Sequence, residues 1–183
     1  MHRLGQAEPV RGENAILRRD KALIQLILPA RAARGWHLRL ATALVEDGHG
    51  LTVTWAEDAA PPLAGLELLR FVESRLYARR AIAGVDPCAL LAPSAFVALP
   101  RAEGPVDVVL DCSGLDRAPV GDAPVLQPCY DGSSNENALI AALVESRPPT
   151  VGWRRQRDGR MIAGGPAAIT SPHVLTQGFS DAL

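Results

Sequence analysis

The chain has 183 residues, the size of a single domain of ~100–200 residues, and its 19 basic and 20 acidic side chains leave a formal net charge of -1. That balance excludes the strongly basic surface by which proteins hold nucleic acid, and an apolar share of 48% against 21% charged excludes a disordered chain. No apolar run approaches the ~18–20 residues of a membrane span, and the opening MHRLGQAEPVRGEN lacks the apolar centre of a signal peptide.

Residues 1–20 are polar and Arg-rich without a sustained period, and read as a leader or edge segment. Ala22 to Leu28 is a short continuous apolar run, the pattern of a strand covered on both faces. Trp36, Leu40 and Leu44 then recur at four-residue spacing, so an amphipathic helix follows, with Gly48 as its natural stop. Leu51 to Trp55 alternates and is β-branched, which predicts a second strand. Pro61 and Pro62 open a helix of about 16 residues, marked by Leu63, Leu66, Leu69, Val72 and Leu76.

Phe96 to Leu99 is a weak strand candidate, and Val106 to Leu110 a strong one. After a turn-rich stretch, Val125 and Leu126 resume an extended pattern. Ser133 and Glu136 have the S-x-x-E form of a capping box, which predicts a helix over 134–146 with Leu139, Ile140, Leu143 and Val144 as its stripe. Asp158-Gly159, flanked by Val151 to Arg157 and Arg160 to Ala163, is a two-residue hairpin signal. Ser171 with Pro172 offers a last helix start.

Strands alternating with helices across short links predict an α/β fold: a three-layer Rossmann-like domain over 21–183, with a mostly parallel sheet and a C-terminal β-hairpin. The runs at 22–28 and 106–110 should be central and mutually parallel. Ligands of such sheets sit beyond the carboxyl ends of the strands.

Three places there carry polar residues. The loop from Pro29 to Gly35 lacks G-x-G-x-x-G and the P-loop pattern. It holds Arg31 and Arg34 just before a helix, a pairing suited to a phosphate or carboxylate, with His37 in the first helical turn. The end of the VDVVL strand presents Asp111, Cys112, Ser113 and Gly114. Asp111 is the best single acid, with the capping of a turn as its plain alternative, and Cys112 reads as a small buried hydrophobe. The stretch Leu126 to Asn137 is rich in hydrogen-bonding side chains. Its Asp131-Gly132 makes a turn, and Asn135 and Asn137 have no structural task assigned by pattern alone. No Cys or His pair stands at ligand spacing, so no metal site is expected. Cys88, Cys112 and Cys129 form no Cys-x-x-Cys, which suits the reducing cytoplasm.

DVVLDCSG followed by VLQPCYDGSSNENALIAALVESRPPTVGWRRQRDGRMIAGG resembles the second half of the formyltransferase N-terminal domain. It is also similar to the degenerate domains of bacterial glucosamine inositolphosphorylceramide transferase-like proteins. The specific likeness covers about a third of the chain. It implies a Rossmann-like sheet, transfer of a formyl group to an amine, and 10-formyltetrahydrofolate as the donor. The family's strand end reads Asn-x-His. Here Gln127 stands for the Asn and Cys129 for the His, and Asp158 falls near the family's Asp. The resemblance implies that these three converge within the roughly 10 Å span of a reactive site.

Its departures matter chemically, because the added methylene of Gln127 displaces its amide and a thiol is a poor proton shuttle at neutral pH. An inherited pocket for a small molecule or an anion is therefore the leading expectation. The alternatives are an active formyl or glycosyl-type transferase using Asp111 or Asp158, and an interaction module serving a following domain.

Overall fold

A computed structural model describes residues 21–59, 86–115 and 121–168, together with positions 65, 68, 69 and 72. The expected leader over 1–20 and the helix start at Ser171 lie outside these residues. So does most of the helix expected over 63–76, of which Gly65, Leu68, Leu69 and Val72 are described and helical.

Six strands form one sheet. In chain order they are β1 (Leu23–Pro29), β2 (Gly50–Ala56), β3 (Val108–Asp111), β4 (Val125–Tyr130), β5 (Thr150–Arg155) and β6 (Met161–Pro166), with helix α1 (Gly35–Glu46) after β1 and α2 (Asn137–Val144) after β4. The spatial order is β2-β1-β3-β4-β5-β6. The first four strands are parallel, Leu26 lying beside Val53 and Leu110. β5 and β6 run antiparallel to their neighbours and make the C-terminal hairpin. This is the expected α/β architecture, with β1 and β3 adjacent, parallel and interior.

The local causes are those of the pattern. Ile24, Leu26 and Leu28 of β1 are buried and pack with Ala41 of α1, Leu51 of β2 and Leu110 of β3 into the main core. A smaller cluster joins Tyr130 to Leu139 and Leu143 of α2. Helix α1 ends in a Schellman motif: the Gly48 and His49 amides donate to the Val45 and Leu44 carbonyls, and Gly48 takes φ 86°. Helix α2 ends in the same way on Ser146, whose φ of 55° is one that glycine adopts more readily.

Three local expectations are corrected. Pro93–Phe96 is a 3-10 turn and not the start of a strand, and of its four residues only Phe96 is buried. Ser133 does not cap α2, which begins at Asn137. Its hydroxyl accepts from the Asn135 amide, and the Glu136 carboxylate is drawn to Arg34. Asp158-Gly159 is the far end of a longer loop, because the last hairpin bond runs from the Arg155 amide to the Arg160 carbonyl. The tight two-residue turn is instead Asp131-Gly132, at φ 48° and 86°, closed by mutual Tyr130 and Ser133 backbone bonds. None of the described helices is long and apolar enough to cross a membrane.

Candidate functional site

In the strand order β2-β1-β3-β4, the chain leaves β1 toward β2 and then crosses back to β3 on the other side. The switch point is between the carboxyl ends of β1 and β3, where open α/β sheets bind ligands. A cavity of about 60 Å³ lies there, between Pro29 at the end of β1, Trp36 and His37 in the first turn of α1, and Cys112 to Gly114 just past β3. Pro128 and Tyr130 of β4 and the segment from Ser134 to Asn137 form its remaining wall.

Pro128 explains why the sheet opens here. Val109 of β3 donates to the Pro124 carbonyl, so even-numbered positions of β4 present their backbone to β3. Pro128 has no N–H to offer. The β3–β4 pairing accordingly stops at Leu110 and Leu126, and the two strand ends part beyond it.

Arg34 and His37 shape the opposite wall. The His37 Nδ1 accepts the Arg34 amide at 2.8 Å, as a carboxylate does at the third position of a capping box. Burial and the Arg34 charge lower the His37 pKa to about 3. The imidazole is therefore neutral, and with Nδ1 accepting, its proton resides on Nε2. That Nε2 is buried without a hydrogen-bond partner, and so is the indole Nε1 of Trp36. The two rings stack with centroids 3.8 Å apart.

The arginine pair read as an anion holder divides. Arg31 is exposed. Arg34 is 0% exposed; its Nε donates to Glu136 at 2.9 Å and its Nη1 to the Cys88 carbonyl at 3.0 Å. The Gly35 and Trp36 amides donate to the Ala89 and Pro87 carbonyls. The start of α1, which the sequence offered to an anion, is thus occupied by the protein's own carbonyls and carboxylate.

The four residues considered for catalysis also divide. Asp111 and Gln127 are buried and meet: the Gln127 amide nitrogen donates to Leu115 O at 2.9 Å and reaches Asp111 Oδ2 at 3.4 Å. Asp111 Oδ1 accepts the Ser113 amide at 3.0 Å, the turn-capping role weighed for it, while the Gln127 oxygen faces Arg154 at 3.4 Å. Cys129 is buried on the same strand.

Asp158 does not join them. The register sets Leu126 against Arg155 and Cys129 against Gly152, so Asp158 lies past the amino end of β4. About 13 Å of strand separates Cys129 from that end, and the hairpin loop extends farther away. Asp158 holds Arg155 through two bonds, 2.6 and 3.0 Å, and this partner lowers its pKa to about 2. The trio implied by the resemblance does not assemble.

Ser113, Asn135 and Asn137 do reach the cavity wall, and there the Asn135 side-chain Oδ1 accepts the Asn137 amide. Trp36, Glu136 and Pro128 belong to the site and were assigned elsewhere or to nothing: Trp36 to the apolar stripe, Glu136 to capping. The usable signal was the indole N–H, which needs a partner when buried. Burial raises the Cys112 thiol far above its usual range, so it stays protonated. No group of three or more His, Cys, Asp or Glu among the described residues is placed to hold a metal ion. No family model, curated protein or solved structure matches the chain.

Proposed function

We propose that this chain is a formyltransferase-like small-molecule-binding domain whose ligand occupies the cavity between β1 and β3 and whose catalytic trio has decayed. The observation that carries the reading is a cavity at the switch point lined by two residues, Trp36 and His37, whose buried N–H groups have no partner. Buried polar groups are ordinarily bonded, and a ligand supplies what the protein leaves open here.

Binding is favoured over turnover by the state of the acids. Asp158 is tied to Arg155 on a distant loop. Asp111 is consumed by the Ser113 amide and Gln127, and it is not among the residues lining the cavity. A general base must reach the proton it removes. Three buried free thiols suit a reducing compartment, and the reading places the domain in the cytoplasm.

Thermal melts against 10-formyltetrahydrofolate, tetrahydrofolate and a panel of amino sugars test the proposal, with absorbance reporting loss of the formyl group. A ligand at about 100 times its Kd should raise stability by about 2.7 kcal/mol, and a three- to ten-fold loss of affinity in His37→Asn should cut that to about 1.4–2 kcal/mol. Formyl transfer that disappears in Asp111→Asn would establish an active transferase instead.

A further inference from the structure

We infer that the cavity between β1 and β3 selects an uncharged carbonyl oxygen, as in an amide or N-acyl group, and rejects carboxylates. The inference rests on the binding role proposed above and names the class of group bound. His37 is 2% exposed and lines the cavity, its Nε2–H carrying the ring's one proton and lacking a partner. Trp36, stacked on it, adds a second unpartnered N–H. Both donors are neutral, and an oxygen with two lone pairs matches them.

Charge decides between a neutral oxygen and an anion. Among the described residues at the wall, Glu136 alone carries a formal charge, and it is negative. Asp111, just behind Cys112, adds a second buried carboxylate. Among the described residues the one buried cation, Arg34, already serves Glu136 and the Cys88 carbonyl. The first α1 amides, Gly35 and Trp36, donate to the Ala89 and Pro87 carbonyls and are not open to an anion. An anion entering the cavity would lose its hydration and find no cation beyond the one already paired with Glu136, a desolvation cost that a neutral carbonyl does not meet. Size agrees: about 60 Å³ exceeds the ~10–15 Å³ of the same measure that a single water needs, so the head of an amide fits.

Acetamide and acetate are near-isosteric and differ in charge, so they test the inference directly. Each is titrated into the full-length, nitrogen-15-labelled protein while the Trp36 indole and His37 imidazole resonances are followed. Acetamide should move both signals with a saturable curve, and acetate should move neither over the same range. Trp36→Phe keeps the ring without its N–H, and His37→Asn keeps an acceptor for the Arg34 amide without the far N–H. Each should weaken acetamide roughly three- to ten-fold, the value of one neutral hydrogen bond, with an unchanged melt in the absence of ligand showing that the variant folds. Acetate binding as tightly as acetamide overturns the uncharged class while keeping the cavity as a binding site. Silence of both signals toward both fragments overturns the inference and the binding role together.

Discussion

Acidification exposes the state of His37 most directly. Its pKa is lowered from 6.5 to about 3 in the folded chain, first by burial and then by the Arg34 charge. The folded state thus refuses a proton that the unfolded chain accepts below pH 6.5. The stability that rests on a neutral His37 is fully present above pH 6.5 and is lost as the pH falls from there toward 3. At 1.36 kcal/mol per unit, the loss between pH 7 and pH 5 is about 2 kcal/mol. For a chain of this size that lowers Tm by about 4–8 °C. The assay is a set of thermal melts from pH 7.5 to 4.5 on the native protein and on His37→Asn, which has no group titrating in that window at this site. Other carboxylates and histidines contribute equally to both proteins, so the difference between the two curves isolates His37. The native curve should fall more steeply below pH 6.5. Parallel curves would refute the neutral, buried imidazole and the tautomer deduced from it.

Three further outcomes follow from the packing. Glu136→Ala strands the buried Arg34 guanidinium, whose Nε it holds at 2.9 Å with only 22% of the Glu136 side chain exposed, and should cost about 2–3 kcal/mol in urea unfolding. Ser146→Gly relieves the left-handed residue that ends α2 and should stabilise by about 0.5–1 kcal/mol; a lower urea midpoint would contradict the Schellman assignment. Gly152→Ala places a methyl group against the Ala163 carbonyl and 2.6 Å from the Gly164 Cα. Because backbone must move to admit it, a loss of about 2 kcal/mol or more is expected in the same assay.

The elements legible in the sequence are those whose cause is local. A continuous apolar run makes β1, a four-residue stripe stopped by Gly48 makes α1, and VVL makes β3, each without help from distant residues. What escaped the pattern was decided over long range. The S-x-x-E box fails at Ser133 because the Glu136 carboxylate is taken by an arginine 102 residues away, and a charge-assisted bond to a buried guanidinium outweighs one first-turn amide. Arg34 itself reads locally as a solvated or anion-binding side chain, and nothing in ARAARG shows that it is enclosed. Two of the three Asp-Gly pairs, Asp131-Gly132 and Asp158-Gly159, look alike in sequence. Only Asp131-Gly132 has strand residues closing directly around it, whereas the bulge between Trp153 and Arg154 and the Arg155–Arg160 bond set the other in a longer loop. Of the site, His37, Ser113 and Asn135 were visible as polar residues near strand ends, but that the 86–91 segment covers the start of α1 with its own carbonyls is a long-range fact no local pattern carries.

The wall of the cavity is drawn from four stretches of chain spread over residues 29 to 137. No short fragment contains it, and its two halves are clasped by the bond from Arg34 to Glu136. Closing so long a loop is entropically slow to be repaid. The cavity is therefore complete only once β4 and the segment after it are in place. A ligand that fits it acts as a seal on the finished molecule: it holds together parts of the polypeptide that are synthesised far apart in time, and it has nothing to grip on any intermediate that lacks β4.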